Sequence, residues 1–449
     1  MKIKNLSLVL LLGVFVLITS VVILKRYKSE ILVDVKWNEK NDTMLAITID
    51  GMDVDNFPSS SDYDAIVTCT NGSGVASWNG NKWVFNVTGI NKNKAKCNIN
   101  FTSPPTWENP GTGTLLAAIK RDNENASTNT FGSAEDDYGT SYYFKNVVSN
   151  NYVEYANMCW RIVRVVGDGA IKIILHNYNG LTDSNMTPSS STPCNVTADD
   201  LAFARYEGDT YMTSFNTSSD DNAYVGFMYG ATGATSHAAT HVNTNPSTIL
   251  TNLNKWYTSV LSKQTSFSDS QLADTIWCND KTATSYGYGQ NDTTYLTKYR
   301  LTVSDDHPTA APTFKCSNDP SGGRLSIFTF EDTTFGNRAL KNYSKLGLLT
   351  ADEAVLAGTP YLGSSVYPSL YLGENTKSWW WLMSPEDFSS GSAYNYGIVG
   401  GTPYEALNKM SGSKVTTNGG LRPALSLVSK IKISTGDGTA TNPYKVVMK

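Results

Sequence analysis

The chain has 449 residues, of which 40% are hydrophobic and only 17% are charged, and its formal net charge at pH 7 is −4. Its 25 Tyr, 15 Phe and 10 Trp can fill large cores, which excludes wholesale disorder, and the length predicts two or three folded units. The weak negative charge excludes a basic face for nucleic acid. Because few side chains are charged, Asn, Ser, Thr and Tyr must supply the polar surface, a composition that suits a secreted, loop-rich protein.

The N-terminal residues have the pattern of a membrane segment. Two lysines precede an uncharged stretch, residues 6–24, and a short basic cluster follows it. As a helix this stretch would be about 28 Å long, close to the hydrocarbon thickness of a bilayer. A cleaved signal peptide is the alternative, but its apolar region is usually shorter and no A-x-A cleavage site is visible. We therefore expect a retained signal anchor over residues 1–30.

All six cysteines follow this segment. Their even number and the lack of a C-x-x-C pair favour disulfides over zinc. We therefore expect a single-pass protein of the cell membrane whose C-terminal ectodomain lies outside. Six cysteines allow fifteen connectivities. Among these we expect neighbours along the chain to pair, as Cys69–Cys97, Cys159–Cys194 and Cys278–Cys316.

Residues 31–103 are predicted to form a small, Ig-like β-sandwich. Asn-Gly dipeptides at 71–72 and 79–80 are hairpin-turn signals, and turns about ten residues apart are typical of sandwiches. Hydrophobic alternation with a period of two recurs in Leu45–Ile49, Ala65–Cys69, Trp83–Val87 and Lys94–Phe101. The Pro-, Gly-, Asn- and Thr-containing residues 104–130 are predicted to be a linker.

Residues 131–449 combine dense aromatics with both helical and strand patterns. Trp160–Val166 and Ile171–Leu175 flank a Gly-Asp-Gly turn and predict a hairpin. Thr248–Leu261 carries apolar residues at a helical period. Thr350–Ala357 begins with a capping box, and Trp379–Leu382 is predicted to be a strand.

An ordered set of short motifs in this region resembles one family. Together the motifs resemble the C-terminal modules of anchored surface proteins from low-GC Gram-positive and mollicute-related bacteria. The motifs are Asp136–Phe144, Asn151–Val153, Cys159–Arg164, Asn222–Gly226, Leu346–Ala354, Trp380–Pro385, Leu421–Leu427 and Gly436–Tyr444.

The resemblance implies a fold. Its Trp-Trp-Leu-x-Ser-Pro and Arg-Pro-Ala-Leu elements are similar to those of domains related to the C-type-lectin-like fold of formylglycine-generating enzymes and hypervariable ligand-binding proteins. The expected fold class is therefore α+β, with a C-type-lectin-like domain behind a small all-β sandwich and one N-terminal transmembrane helix. Trp160, Trp380, Trp381 and Arg422 are expected to be structural, although an aromatic platform for a sugar is an alternative for the tryptophan run.

A binding surface is expected near the C-terminus. Ser389–Gly420 is rich in Ser, Gly, Tyr, Asn and Thr, which resembles the composition of antibody paratopes, although an ordinary polar loop has the same composition. The hypervariable lectin-like proteins display their ligand surface at the corresponding place. The expected ligand contacts are Trp379, Tyr394, Asn395, Tyr396 and Tyr404.

No motif predicts a cofactor, a catalytic residue or a metal centre. His237 and His241 have the spacing of a helical metal pair, but they lack the Glu of H-E-x-x-H and are expected in a surface loop. Acidic clusters at 135–137, 220–222 and 305–306 could bind Ca²⁺ but lack the spaced pattern of a calcium loop.

Three functions remain open from the sequence. The first is a membrane-anchored surface protein whose lectin-like domain recognises an extracellular glycan or protein. The second is an extracellular hydrolase of glycans or cell wall, with Glu374 and the Glu386–Asp387 pair as candidate carboxylates. The third is a structural component of the envelope.

Overall fold

The computed structural model divides the chain into two compact units, Met1–Pro104 and Pro105–Lys449, which are described separately. The residues described are 43–89, 95–284, 292–301, 311–319, 327–329, 334–335, 338–339, 344–359, 370–399 and 410–447.

The strand content corrects the predicted fold class. Of the described residues, strands hold 35% and helices 16%, so this part of the chain is mostly β rather than α+β. Within the described residues, no helix is both long and apolar enough to cross a membrane. The predicted membrane helix at 6–24 and the signal anchor at 1–30 lie outside these residues. The described helices are short because Gly, Asn, Ser and Thr, which have low helix propensity, interrupt the apolar patterns.

The described residues of the first unit form two sheets. The strands are β1 (Thr43–Ile49), β2 (Met52–Asp53), β3 (Asp64–Cys69), β4 (Ser73–Trp78), β5 (Trp83–Thr88) and β6 (Ala95–Thr102). One sheet has the order β2-β1-β6-β3, and β4 and β5 form a separate hairpin. Strands β1 and β6 run parallel, with Thr43 opposite Ala95 and Ile49 opposite Phe101. The core includes Trp83, Phe85 and Ile99, and the segments with the predicted alternation lie in β1, β3, β5 and, from Ala95 onward, β6.

Nineteen strands of the second unit lie within the described residues. They are β7 (Phe131–Asp136), β8 (Gly139–Phe144), β9 (Tyr152–Tyr155), β10 (Met158–Val165), β11 (Ile171–Asn177), β12 (Met212–Thr213), β13 (Met228–Tyr229), β14 (Asn245–Pro246), β15 (Trp277–Cys278), β16 (Thr293–Thr294), β17 (Ile327–Phe328), β18 (Thr334–Phe335), β19 (Arg338–Ala339), β20 (Trp380–Ser389), β21 (Ser392–Ile398), β22 (Met410–Lys414), β23 (Gly419–Gly420), β24 (Ala424–Leu427) and β25 (Tyr444–Lys445).

Two sheets of the second unit organise its core. The larger has the order β24-β11-β10-β8-β7, with β9 paired to β10 and β25 paired to β9, and the other has the order β12-β23-β20-β21-β22, with β16 on β20. Every residue of β10 and β11 is buried, which explains their nearly continuous apolar sequence. They form the predicted hairpin, and Gly169 in its turn has φ +91°, a conformation that favours glycine.

Six α-helices accompany these sheets within the described residues. They are α1 (Leu115–Asn123), α2 (His237–His241), α3 (Thr248–Ser259), α4 (Leu296–Leu301), α5 (Ala351–Leu356) and α6 (Leu370–Gly373). Helix α3 buries the apolar residues of the predicted helical period, including Leu253 and Trp256. Both hydrogen bonds of the predicted capping box, between Thr350 and Glu353, are present at α5.

Helix α1 corrects the extent of the predicted linker. The Thr114 side chain accepts a hydrogen bond from Ala117 N and caps this helix, which buries Leu115, Leu116 and Ile119 in the core of the second unit. The second unit begins at Pro105. The predicted linker at 104–130 is therefore mostly part of a folded domain, because its short apolar segment packs against that core.

Candidate functional site

The predicted ligand contacts do not share one exposed surface. Trp379 and Tyr394 are half-buried, whereas Asn395 and Tyr396 are fully buried, so the expectation that these two contact a ligand is wrong. The reason is that the faces of β21 are covered: Tyr396 packs in the hydrophobic core of the second unit, and Asn395 Nδ2 donates to Val225 O over 3.0 Å. Tyr404 lies outside the described residues.

The Trp379 ring is held by two glycines. A Cβ on Gly397 would come within 3.0 Å of this ring, and a Cβ on Gly419 would come within 2.6 Å of it. The ring also meets Trp381 edge to face, with centroids 4.7 Å apart. Trp379 therefore presents a half-buried indole whose position is fixed by backbone on two sides.

The residues expected to be structural are all interior. Trp160, Trp380, Trp381 and Arg422 have no exposed surface. The Trp160 Nε1–H donates to Tyr155 O over 3.0 Å, and that of Trp381 donates to Thr213 O over 2.9 Å. Arg422 donates from Nε to a backbone oxygen 2.9 Å away, and its guanidinium lies 4.8 Å from the centroid of the Trp380 ring.

Two adjacent carboxylates share a lysine beside β22. Lys298 Nζ lies 2.5 Å from Asp387 Oδ2 and 3.7 Å from Glu386 Oε1. The Glu386 carboxylate occupies space that a side chain at Gly412 would fill. Burial, followed by the negative charge of Asp387, raises the pKa of Glu386 to about 7, and Lys298 opposes this rise. The pair can therefore hold one proton near neutral pH while Asp387 stays bound to the ammonium.

Glu374, the other candidate carboxylate, has a different environment. It accepts hydrogen bonds from Tyr152 Oη at 2.9 Å and from Nη1 of Arg161. Arg161 is fully buried and its guanidinium lies 3.7 Å from the centroid of the Tyr152 ring. Glu374 thus neutralises an interior arginine, whereas the lysine beside Glu386 has a partly exposed side chain.

A charged cavity lies where elements from distant parts of the second unit meet. Its volume is about 20 Å³, room for about one water molecule. It is lined by acidic and basic side chains that include Asp136, Arg164, Lys172, Asp280, Arg300, Asp352 and Glu353.

The charges around this cavity form ion pairs. Arg164 lies 2.6 Å from Asp136 and 3.0 Å from Glu353, and Lys172 lies 2.6 Å from Glu353. Arg300 similarly joins Asp280 and Asp352, at 2.6 and 2.8 Å. Burial alone would raise the pKa of Glu353, but the positive charges of Lys172 and Arg164 lower it to about 2. The arrangement ties strands β7, β10 and β11 to helix α5. Sequence reasoning missed it because the partners lie far apart in the chain.

The two histidines with metal-pair spacing are not in a surface loop, which corrects that expectation. His237 and His241 begin and end α2, with ring centroids 4.4 Å apart, and His241 is fully buried. Burial lowers the pKa of His237 to about 4. Among the described residues, no group of three or more His, Cys, Asp or Glu is placed to hold a metal ion.

All six cysteines are paired, and the expected connectivity is confirmed. Cys69–Cys97 links β3 to β6, Cys159–Cys194 links β10 to the 3₁₀ turn that contains Cys194, and Cys278–Cys316 completes the set. The Cα atoms of the three pairs are 4.0, 5.0 and 5.7 Å apart. Such a framework is compatible with a secreted or extracellular protein.

Comparison of the chain with protein-family models, with curated proteins and with solved structures found no match.

Proposed function

We propose that the protein is exported and acts outside the cytoplasm as a recognition protein for an extracellular glycan or protein. The observation that carries this proposal is the pairing of all six cysteines, because disulfides form and persist in oxidising compartments. The low charge and the abundance of Asn, Ser, Thr and Tyr support the same compartment.

Binding is supported by the aromatic residues that remain accessible. Trp379 and Tyr394 are half-buried, and the backbone of Gly397 and Gly419 fixes the Trp379 ring. A rigid aromatic side chain contributes large contact area with little loss of conformational entropy on binding. These two residues are the ligand contacts that we retain from the sequence.

The test is a screen of the purified protein on glycan and protein arrays, followed by titration of any ligand found. Trp379→Ala and Tyr394→Ala are expected to weaken binding at least tenfold, with little change in thermal stability for Tyr394→Ala. Trp107→Ala is the matched control, because Trp107 is also half-buried but stacks on Tyr142 in another part of the second unit. Absence of any ligand, or equal loss in all three variants, contradicts the proposal.

One observation favours a second candidate, an extracellular glycan hydrolase. Glu386 is a protonatable acid near neutral pH beside Asp387, which is bound to Lys298, and general acid catalysis needs a carboxyl group with such a raised pKa. Turnover on a polysaccharide and peptidoglycan panel that Glu386→Gln abolishes supports it. Glu207→Gln, which alters an exposed carboxylate, is the control and should leave turnover unchanged.

A further inference from the structure

One carboxylate binds the backbone that leads directly into Trp379. Asp200 Oδ1 accepts hydrogen bonds from the backbone N–H groups of Lys377 and Ser378, at 2.8 and 2.7 Å. Asp200 Oδ2 accepts two more, from Ser378 Oγ at 2.8 Å and from Tyr211 Oη at 2.9 Å. Asp200 itself is buried, so these bonds are shielded from bulk water. Three of the four bonds therefore hold the two residues that precede Trp379.

The Asp200 carboxylate is ionised at neutral pH. Burial alone would raise the pKa of Asp200, but the hydrogen bonds from Ser378, Lys377 and Tyr211 outweigh burial and lower it. Hydrogen bonds to an ionised acceptor are shorter and stronger than those between neutral groups. The attachment of residues 377–378 is therefore charge-assisted.

The loop that carries Asp200 is fixed to the rest of the second unit. Tyr178, the residue after β11, donates from its backbone N to Leu201 O over 2.9 Å. Arg205 Nη2 donates to Asp200 O over 3.1 Å. The backbone of Asp200 has φ +58°, a left-handed conformation that Asp adopts more readily than most residues. The carboxylate therefore projects from a backbone whose own position is set by other contacts.

Trp379 is held at its main chain as well as at its ring. Gly420 N donates to Trp379 O over 2.8 Å. The backbones of Gly397 and Gly419 limit the ring on two sides. The glycines restrict where the ring can lie, whereas Asp200 restricts the main chain from which the ring projects.

We propose that Asp200 is a positioning residue for Trp379 and holds the indole in place for contact with a ligand. This inference rests on the proposed function, in which Trp379 is a ligand contact. A contact residue whose position is fixed before binding loses little conformational entropy when the complex forms. Loss of the Asp200 carboxylate therefore weakens binding through Trp379, although Asp200 itself does not touch the ligand.

The first test needs no ligand. Hydroxyl-radical footprinting of the full chain, read by mass spectrometry, measures the oxidation rate of each tryptophan. Asp200→Gly removes the carboxylate without straining the left-handed backbone and should raise the rate at Trp379 about threefold, because the released ring exposes more of its surface. Asp200→Asn keeps one oxygen for the two backbone N–H groups and should restore most of the native rate.

The fully buried Trp160 and the exposed Asp199 provide the controls. Asp199 binds Lys377 only through its side-chain ammonium, at 2.9 Å, so Asp199→Asn should leave the rate at Trp379 unchanged. An unchanged rate in Asp200→Gly overturns the proposal. An equal rise at Trp160 also overturns it, because the effect is then a general loosening of the fold.

A second variant decides the matter if Asp200→Gly does not fold. Ser378→Ala combined with Tyr211→Phe removes both hydroxyl donors to Asp200 Oδ2 and should also raise the oxidation rate at Trp379. The native rate in this double variant contradicts the proposal.

The last test uses the glycan and protein arrays. Asp200→Gly should lose the same signals as Trp379→Ala, and Asp200→Asn should keep most of them. Retention of those signals by Asp200→Gly contradicts an action through Trp379. Arrays without any signal overturn the proposed function but not the positioning of the ring, which the oxidation rates decide on their own.

Discussion

A single carboxylate connects three elements of the second unit. Glu353 Oε1 accepts hydrogen bonds from Arg164 on β10 and Lys172 on β11, while Oε2 accepts one from the backbone of Thr350. Glu353 is buried, so each of these bonds is formed away from bulk water. The carboxylate is therefore needed both for capping α5 and for neutralising two interior cations.

Replacing this carboxylate should strongly destabilise the second unit. Glu353→Gln leaves Arg164 and Lys172 without a neutralising charge, which is expected to lower the free energy of unfolding by about 3–5 kcal/mol. Urea denaturation of the purified protein measures the change. Glu135→Gln, at an exposed residue of β7, is the control and should alter stability by less than about 0.5 kcal/mol. Equal stability of the two variants would show that the network contributes nothing.

The same residue predicts how stability depends on acid pH. Its pKa falls from an ordinary value of 4.5 to about 2 on folding, so the unfolded chain binds its proton first as the pH decreases. The stabilisation is complete above about pH 4.5 and is lost as the pH falls towards 2. Denaturation midpoints recorded across this range should fall for the native protein and fall less for Glu353→Gln.

The raised pKa of Glu386 predicts that stability changes with pH in the opposite direction at higher pH. Its pKa rises from 4.5 to about 7 on folding, so the folded state holds a proton that the unfolded chain has already lost. This contribution should decrease stability as the pH rises from about 4.5 to 7. Glu386→Gln should remove that decrease, which pH-dependent denaturation can detect. An unchanged slope in the variant means that Glu386 is ionised throughout.

At the scale of the element, the Trp379 ring lies so close to β23 that no side chain fits at Gly419. Gly419→Ala places a Cβ against the Trp379 ring and is expected to destabilise the protein by about 1–3 kcal/mol. The double variant with Trp379→Ala should recover most of this loss, because the obstructing ring is then absent. A double-mutant cycle by urea denaturation measures the coupling. Additive effects of the two changes would mean that Gly419 is required for another reason.

Strand β21 shows where composition misled the sequence analysis. Ser392–Ile398 contains the Ser, Tyr, Asn and Gly that suit a binding loop, yet it forms a buried inner strand. Composition gives no information about what packs on the faces of a strand, because that depends on contacts with residues distant in sequence. By contrast, α3 and the capping box of α5 were predictable, since their signals lie within one or a few turns of helix.

At the scale of the whole molecule, the disulfides were predictable and the charged cavity was not. Each cysteine pairs with a neighbour along the chain, as expected, and the observed separations are 28, 35 and 38 residues. The ion pairs of Glu353 instead join residues 181 and 189 positions apart. The residues next to Arg164 and Lys172 in the sequence do not show whether these side chains pair with a distant carboxylate or face solvent.

Removing one bridge should reveal its contribution to the second unit. Changing both Cys159 and Cys194 to Ala is expected to lower the free energy of unfolding by about 3 kcal/mol, mainly because the unfolded chain regains conformational freedom. Urea denaturation measures the loss, and reduction of the native protein should lower stability further. Reaction of the unreduced, denatured protein with a thiol reagent should detect no free cysteine, and finding six would refute the framework.

The parallel pairing of β1 with β6 has a mechanical consequence. Because these strands run in the same direction, β1 begins at one end of the ladder, at Thr43, and β6 finishes at the opposite end, at Thr102. Tension applied to the two ends therefore pulls the strands lengthwise past each other. Under this shear the interstrand hydrogen bonds resist together instead of opening one after another, so the unit can bear force.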